Sequence, residues 1–470
     1  MINMKKLYLK VLLFLGIIGG IVWIVDLSGM FNPDMLNYHE KQQWDSFYEF
    51  TETNDVDVLL VGNSHLYTGI NPNHLSCILG SNCFILASPG TTVTDSFYAL
   101  KEGLSRCNPK VVVVETYGIS ATKIKELTGG NLTSEFRSFS SRKNIFRKLF
   151  SMPFLFSVDN YLSALSASIR GHDMLFRDPD LIKRNLVGEN IPYRTNSLNL
   201  GRYTRFATGI SDETEKQYDE KGPVVDGNGF RVNKENYLTV RRIEKLCDKR
   251  GIDLVFLTLP MYEKHVSNYS SWHTIMSRVI GSGYKWLDMQ DPYDHELFTR
   301  ECFEDTRNSN QHMTSRGALV ADYKLADYII DELKPELPDR HRSEGWRRMF
   351  YSEKGYFENY TVDPDDNRNF LLCKNVDVHG LLVKDCAFIR YGDDQGQAFM
   401  RVDKNTDISL LKDGVELFML IVTDEGESRS RVTMKMTPGI APQGHYSLSS
   451  DVVELKSPKS IRLESIGFAD

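Results

Sequence analysis

Residues 56–65 read Val-Asp-Val-Leu-Leu-Val-Gly-Asn-Ser-His, a short apolar run that stops at Gly62-Asn63. A run of this length that ends in turn residues is typical of a buried β-strand. Similar runs predict further strands at 84–87, 110–116, 253–259 and 284–288. Apolar residues at helical spacing predict helices at 93–105, 233–250 and 314–334. Strands that alternate with helices predict βαβ crossovers, and therefore an α/β fold with a mostly parallel sheet.

The composition sets broad limits on function. The chain has 470 residues, 41% hydrophobic and 25% charged, which is ordinary for a globular protein of more than one domain. Its net charge of -7 argues against nucleic acid as a partner. The seven cysteines include no C-x-x-C pair, so the sequence predicts no zinc or thioredoxin-type site, and it predicts no metal and no cofactor.

The amino terminus carries the signal of a membrane anchor. Lys5, Lys6 and Lys10 precede Val11 to Val25, a stretch without charge that approaches the roughly 20 residues of a spanning helix. The positive flank predicts a cytoplasmic amino end and an extracytoplasmic remainder, so the lipid bilayer is an expected partner. A cleaved signal peptide, with Leu27-Ser28-Gly29 as a poor cleavage site, is the competing interpretation.

The rest of the chain divides by its periodicity. After a cytoplasmic tail and anchor at 1–30, we predict an α/β domain at 31–335, interrupted by an insertion at about 120–230, and a linker at 336–368. Short alternating runs at 369–470, separated by turn dipeptides, predict a β-sandwich domain. Cys373 and Cys386 fall within it and are predicted either to pair or to remain buried thiols.

The insertion contains one basic, aromatic segment. Its charged and aromatic residues are Arg137, Arg142, Lys143, Arg147 and Lys148 with Phe136, Phe139, Phe146 and Phe150. Two interpretations are open: a contact with a membrane surface or an anionic glycan, and an amphipathic helix that covers the α/β core with its charges in solvent.

The best candidate for chemistry is Ser64, which follows the first strand at the edge where open α/β sheets bind ligands. A serine nucleophile requires a base, and His312 lies in a polar loop directly before the last predicted helix. That loop also follows a strand, so the two side chains are expected at the same edge of the sheet.

Three spaced blocks carry a family resemblance. Gly62-Asn63-Ser64-His65, Ala87-Ser88-Pro89-Gly90 and the loop from Asp305 to His312 resemble the SGNH (GDSL-like) hydrolase superfamily. They are most similar to its membrane-anchored extracytoplasmic branch, which includes proteins of alginate O-acetylation and teichoic acid D-alanylation. The resemblance covers about 56–118 and 253–334. It implies an SGNH-like three-layer α/β fold.

The resemblance also implies roles for individual residues. Ser64 would be the nucleophile, His312 the base, and the backbone N–H groups of Ser64 and Gly90 the oxyanion donors. The family's acid lies three residues before the histidine, where this chain has Ser309, so Asp305 or Asn308 would replace it, with Asp305 preferred as a carboxylate. The family's Gly-x-Asn-Asp block is replaced by Glu115-Thr116-Tyr117-Gly118, which leaves the third oxyanion donor unassigned.

Four further residues near the predicted edge are candidates for substrate contact. They are His65, Glu115, Tyr262 and His265, and each has a structural alternative as a packed, solvated or salt-bridged side chain.

Location and chemistry together predict an anchored serine acyl-esterase or O-acyltransferase, with acetyl as the expected group and a cell-surface polysaccharide as the substrate. A transferase outside the membrane has no cytosolic acetyl-CoA, and the resembling proteins work beside membrane-bound O-acyltransferases, so such a protein is an expected partner. Two alternatives are a surface glycan-binding or assembly protein that kept the fold without the reaction, and a secreted lipase of broad range.

Overall fold

The computed structural model describes residues 4–31, 39–120, 122–177, 179–187, 210–291, 295, 297–308, 312–340 and, with short gaps, 369–468. A five-stranded parallel sheet forms the centre of the first part. Its strands are β1 Val58–Gly62, β2 Cys83–Ala87, β3 Val111–Glu115, β4 Asp253–Thr258 and β5 Lys285–Asp288. They lie in the order β2-β1-β3-β4-β5, and every neighbouring pair is parallel. The predicted parallel sheet is therefore confirmed.

Helices precede, connect and follow these strands. They are α1 Met4–Ser28, α2 His39–Thr53, α3 Ser64–Gly69, α4 Pro72–Leu79, α5 Val93–Gly103, α6 Gly129–Ser141, α7 Ile145–Leu155, α8 Tyr161–Leu165, α9 Ala167–Gly171, α10 Met174–Arg177, α11 Pro179–Val187, α12 Asp212–Lys221, α13 Lys234–Arg250, α14 Tyr269–Ile280 and α15 Ser315–Asp327. A π-helical turn at Tyr328–Leu333 extends α15. The helices predicted from apolar spacing match α5, α13 and α15 with its extension.

Local chemistry explains where the predicted helices begin and end. Thr92, Asn233 and Thr314 accept hydrogen bonds from first-turn N–H groups of α5, α13 and α15. Side-chain oxygens at this position satisfy donors that the helix itself leaves unpaired. Gly251, with φ of 64°, ends α13 in a left-handed conformation that a residue without Cβ adopts at little cost.

The sheet separates two hydrophobic cores because successive side chains of a strand point to opposite faces. From β1, Leu59 and Val61 enter the core shared with α2, α5 and α13. Val58 and Leu60 enter the other core, which includes residues of α4 and α15. All four side chains are fully buried. The continuous apolar strands seen in the sequence are thus explained by burial on both faces.

The described part of the insertion contains the helices α6 to α12. Phe136, Phe139, Leu155 and Phe156 are buried in the core that also holds residues of α2 and α5. The apolar residues of this segment therefore divide between the core and the surface, which single-sequence periodicity did not resolve.

Helix α1 is long and apolar enough to span a membrane, with a mean hydropathy of 2.3. It begins before the predicted apolar run and includes Lys5, Lys6 and Lys10 in its first turns. The structure does not set its orientation.

The carboxyl-terminal part is an antiparallel β-region. Its longer strands are β6 Asn369–Val378, β7 Leu381–Tyr391, β8 Gln395–Asp403, β9 Val415–Thr423, β10 Gly426–Met436, β11 His445–Ser450 and β12 Ser460–Phe468. They form one sheet in the order β12-β9-β10-β11-β8-β7-β6, with a short strand at Val453–Glu454 beside β8. Cys373 and Cys386 stand opposite each other on β6 and β7.

The β-rich region predicted at the carboxyl terminus is confirmed, and its described strands belong to one hydrogen-bonded antiparallel sheet. Strands β6 and β12, at the ends of the order, nevertheless contact each other. The sheet therefore curls around a core of alternate side chains such as Val383, Met400 and Leu417. Alternation in the sequence reveals one buried face, but it does not distinguish a curled sheet from two packed sheets.

A partly buried ion pair joins the end of the α/β part to Asp57, directly before β1. The two carboxylate oxygens of Asp57 accept hydrogen bonds from Nε and Nη2 of Arg340 at 3.0 and 2.9 Å. Oδ2 of Asp57 also accepts the backbone N–H of Asn82 at 2.8 Å, at the start of β2. The charge that interrupts the first apolar run is therefore paired.

We expect Asp57→Ala to lower the free energy of unfolding by about 2–4 kcal/mol, because it leaves a guanidinium and a buried N–H without their acceptor. Urea denaturation of the detergent-solubilised full chain measures the effect. Asp55→Ala is the matched control, since the Asp55 side chain is exposed two residues away. Equal midpoints for the two variants would contradict the assigned role of the ion pair.

Candidate functional site

A cavity of about 890 Å³ opens at the carboxyl edge of the sheet. The order of the strands explains the position of the cavity. Strand β2 lies on one side of β1 and β3 on the other, so the connections after β1 and β2 run in opposite directions. Open α/β sheets bind ligands in the crevice that forms at this point of the sheet edge. Its walls come from the loops after β1, β2 and β3, from the insertion and from the segment before α15. They include Asn63, Ser64, Gly90, Thr91, Thr92, Tyr117, Ser120, Asn131, Arg137 and His312.

Ser64 is the first residue of α3 and is half-buried at the cavity wall. Asn63 fixes this turn, since its Oδ1 accepts the N–H of His65 at 3.1 Å and its carbonyl accepts the N–H of Leu66 at 3.1 Å. Gly62 ends β1 where a Cβ atom would lie 2.6 Å from the Cβ of Glu115. Only glycine permits this approach of β1 to β3, which sets the position of Ser64.

Glu115 lies beneath the Ser64 turn as a buried carboxyl group. Its Oε1 accepts the N–H of Tyr117 at 2.6 Å. Burial raises the pKa of Glu115 from 4.5 to about 8, although backbone N–H groups, including those of Tyr117 and Asn63, act in the opposite direction. Near neutral pH the group therefore holds a proton for much of the time, and it supports the turn from below.

His312 is positioned by a short antiparallel pairing before α15. Phe303 and Met313 form a β-bridge, and the N–H of Glu304 donates to the carbonyl of His312 at 3.0 Å. Glu304 and His312 therefore stand opposite each other, and Oε2 of Glu304 lies 3.3 Å from Nδ1 of His312. A carboxylate at Nδ1 favours the tautomer in which Nε2 accepts a proton. Nε2 is buried, and His312 lines the cavity.

The carboxylate that contacts His312 is Glu304 and not Asp305, for which the sequence predicted this contact. Oδ1 of Asp305 accepts hydrogen bonds from the N–H and Oγ of Ser211, at 2.9 and 3.1 Å, directly before α12. Glu304 lies opposite His312 because it is next to the bridge, whereas Asp305 lies in a bend in which the N–H of Thr306 donates to the carbonyl of Glu304 at 2.8 Å. Asn308, the other predicted acid position, is exposed, and Ser309 lies outside the described residues.

Gly90 has φ of 61°, in the left-handed region that favours glycine. A Cβ atom there would lie 2.0 Å from Oδ1 of Asn131, which belongs to α6. The Asn131 carboxamide thus lies over Gly90, and both residues line the cavity with Ser64. Sequence reasoning missed Asn131 because it belongs to the insertion, far along the chain from any of the recognised blocks.

The other predicted contact residues are packed behind the cavity wall. The buried His65 ring stacks on Tyr117 with centroids 3.9 Å apart, and its centroid is 5.9 Å from that of His312. Burial lowers the pKa of His65 well below its usual value, and the nearby His312 and His265 lower it further. His65 therefore supports the serine turn as a neutral ring.

Tyr262 and His265 face α12. The Tyr262 hydroxyl donates to Glu215, and Nδ1 of His265 lies 2.8 Å from the Tyr218 hydroxyl. Burial lowers the pKa of His265 to about 4. From the loop after β4 it is Met261 that reaches the cavity wall.

The remaining wall combines aromatic rings with polar groups. Aromatic side chains come from Tyr67, Tyr117, Phe230, Tyr269 and Trp272, and polar ones from Ser120, Thr122, Asn131 and Arg137. Among the described residues, no group of three or more His, Cys, Asp and Glu side chains is arranged to hold a metal ion.

The chain was compared with known proteins: no protein-family model matches it, and no curated protein matches it either.

We expect the stability of the wild-type protein, relative to Glu115→Gln, to fall as the pH rises from about 4.5 to about 8. Because the pKa of Glu115 is raised, the native state keeps a proton that the unfolded chain has already released. The contribution of this proton to the free energy of unfolding is therefore complete at low pH and is lost as the pH rises through the native pKa. Each unit of the shift corresponds to about 1.4 kcal/mol.

Urea denaturation at about pH 5 and about pH 8 measures this change for the wild type and the variant. Glu213→Gln, at an exposed position of α12, is the matched control. A constant difference between wild type and Glu115→Gln across this range would show that the carboxyl group is not held protonated beneath the turn.

Proposed function

We propose that the chain is a membrane-anchored serine acyl-esterase or O-acyltransferase that acts on a cell-surface polysaccharide through an acyl-serine intermediate, with acetyl as the transferred group. One observation carries the proposal: Ser64 and the Glu304–His312 pair converge on one cavity at the ligand-binding edge of the sheet. A nucleophile, a base and a carboxylate that orients the base are the minimum set for acyl transfer. The resemblance to SGNH hydrolases, with Glu304 in the acid role, agrees with this proposal.

The first half of the reaction follows from these roles. Nε2 of His312 takes the proton of the Ser64 hydroxyl as Oγ attacks the acyl carbonyl carbon. Glu304 stabilises the imidazolium, and the N–H groups of Ser64 and Gly90 donate to the oxyanion. The tetrahedral intermediate then collapses: the ester C–O bond breaks, His312 returns the proton to the leaving alcohol, and the acyl group remains on Ser64.

The second half uses the same groups in reverse. His312 removes a proton from water or from a sugar hydroxyl, whose oxygen attacks the acyl-serine carbonyl. The bond between the acyl carbon and Oγ of Ser64 breaks, and Oγ recovers its proton from His312. Water as the acceptor gives an esterase, and a sugar hydroxyl gives a transferase. In both cases Asn131 stands over Gly90, close enough to contact the acyl group bound there.

The cavity walls support a carbohydrate substrate. Rings such as Tyr117, Tyr269 and Trp272 offer apolar faces, and Ser120 and Asn131 offer hydrogen-bonding groups. Sites for polar ligands typically combine apolar walls with a few positioned polar groups. A volume of about 890 Å³ accommodates more than one sugar ring.

We further propose that α1 anchors the protein with a cytoplasmic amino end. Lys5, Lys6 and Lys10 provide the positive flank, and the apolar residues of α1 are exposed in the isolated chain. An extracytoplasmic transferase then requires a membrane-bound O-acyltransferase to supply its acyl group. The curled β-region at the carboxyl terminus is proposed to hold the polysaccharide.

We expect a fluorophosphonate probe to label the wild-type chain and not Ser64→Ala, because the probe forms a covalent bond with an activated serine. Gel fluorescence of the detergent-solubilised full chain measures labelling. Ser277→Ala is the matched control, because Ser277 is an exposed serine of α14 that does not line the cavity.

Absence of labelling in the wild type would contradict the enzyme and favour a surface glycan-binding or assembly protein on the same fold. Equal labelling of wild type and Ser64→Ala would show that the probe reacts with a residue other than Ser64.

We also expect Glu304→Gln to reduce the labelling rate by about 10²–10⁴-fold, since an amide does not stabilise the imidazolium of His312. Asp305→Asn should stay within about threefold of the wild type, because Asp305 faces Ser211. These adjacent variants separate the two candidate acids by probe kinetics. Loss of labelling in Asp305→Asn with full activity of Glu304→Gln would reverse the assignment.

A further inference from the structure

The insertion exposes a large apolar surface. Outside α1, ten of the fourteen large hydrophobic side chains that are exposed in the described chain lie between residues 145 and 186. Phe146 is 81% exposed, Val158 75% and Phe176 87%, and Phe150, Leu162 and Leu165 belong to the same set. Exposed apolar residues at this density are typical of a surface that contacts another molecule or a membrane.

The same segment is basic in an acidic protein. Residues 142–187 contain eight Lys or Arg and four Asp or Glu, which gives a formal charge of +4, while the whole chain carries -7. Phe, Leu and Ile side chains next to Lys and Arg are the composition of helices that lie in the interface of an anionic membrane.

The end of α1 is joined directly to this segment. Oδ1 of Asp26 accepts hydrogen bonds from Oγ of Ser166 and the N–H of Ser168, at 3.0 and 2.7 Å. The Asn185 side chain donates to the carbonyl of Met30 at 3.1 Å. Asp26 is the first charge after the apolar run of α1, so Ser166 lies where that helix leaves the hydrocarbon layer. Leu165 and Leu162 immediately precede Ser166.

A second cavity lies beside the apolar helix α7. It has a volume of about 330 Å³, and its charged lining residues are Lys101, Arg142, Arg147 and Lys148 with one buried carboxylate, Glu102, so the lining carries more positive than negative charge. Tyr98, Phe146 and Phe150 line it as well. The Lys101 ammonium lies over the rings of Phe97, Tyr98 and Phe150 at 5.1–5.7 Å. Burial lowers the pKa of Lys148 to about 8. Several cations near one another, with aromatic rings around them, favour an anionic group attached to an apolar body.

We propose that helices α7 to α11 form a membrane-docking surface, whose apolar side chains insert into the bilayer that α1 spans. The cavity of Lys101, Arg147 and Lys148 binds an anionic lipid headgroup of that bilayer. This proposal rests on the membrane anchoring by α1 given under the proposed function. A bilayer is favoured over a protein as the occupant because the apolar residues continue from the point where α1 leaves the membrane, and because their neighbours are cationic.

Docking of this kind has a consequence for the substrate. Helix α6, which precedes the docking surface, supplies Asn131 and Arg137 to the wall of the catalytic cavity. A surface held in the interface by α7 to α11 keeps that cavity close to the membrane. The acceptor is then a membrane-proximal polysaccharide, such as a glycan still attached to a lipid.

Site-directed spin labelling of the full chain in vesicles tests the docking surface. Nitroxides are placed at Val158→Cys in the surface, at Leu238→Cys on α13 as the matched exposed control, and at Leu15→Cys in α1 as the reporter of the anchor. The native cysteines are mostly buried, and labelling of the wild type gives the background. Relaxation by oxygen and by a water-soluble nickel complex measures immersion.

We expect the oxygen-to-nickel ratio at Val158→Cys to be severalfold higher than at Leu238→Cys. The ratio at Val158→Cys should rise further when phosphatidylcholine vesicles contain about 30% phosphatidylglycerol. Arg147→Glu combined with Lys148→Glu should abolish that rise, while Lys245→Glu with Lys249→Glu on α13 should preserve it.

Three outcomes would overturn the proposal. A water-exposed Val158→Cys with an immersed Leu15→Cys leaves the anchor intact and refutes the docking surface, and a protein partner would then have to cover it. Water exposure at both positions refutes the anchor as well. An immersed Val158→Cys that does not respond to phosphatidylglycerol refutes the headgroup site.

Discussion

The close approach of β1 and β3 at Gly62 and Glu115 is the constraint on which the site depends. Any side chain at position 62 would collide with Glu115, so the two strand ends meet only because one of them is glycine. The Glu115 carboxyl group then lies under the turn that carries Ser64 and hydrogen-bonds the N–H of Tyr117. A buried carboxyl group at this point links the loops after β1 and β3, and these loops form two walls of the cavity.

A second local arrangement selects the partner of His312. The bridge between Phe303 and Met313 sets Glu304 opposite His312, and a bend at Asp305 turns that carboxylate toward Ser211. The carboxylate that lies beside His312 is therefore set by the pairing at this bridge.

The insertion contributes both to the cavity of the candidate site and to the surface beside the end of α1. Asn131 and Arg137 line the cavity that holds Ser64, while the helices that follow expose apolar and cationic side chains beside the end of α1. The sequence left two interpretations of the basic, aromatic segment open, a surface contact and a cover for the core, and the structure contains buried and exposed side chains that fit each of them. Phe139 is buried in the core and Phe146 is exposed, so the segment both packs against the α/β part and presents an apolar surface.

From the sequence alone, periodicity and turn residues predict the five strands, the helices α5, α13 and α15, the apolar helix α1 and a common sheet edge for Ser64 and His312. These features depend on periodicity, on turn residues and on the rule that parallel strands end at one edge, and all three are local or topological. The tertiary structure adds the contact of Glu304 with His312, the position of Asn131 over Gly90, the packing of Tyr262 and His265 against α12 and the curl of the last sheet. None of these contacts has a periodic signal in a single sequence, and most of them join residues that are distant in the chain.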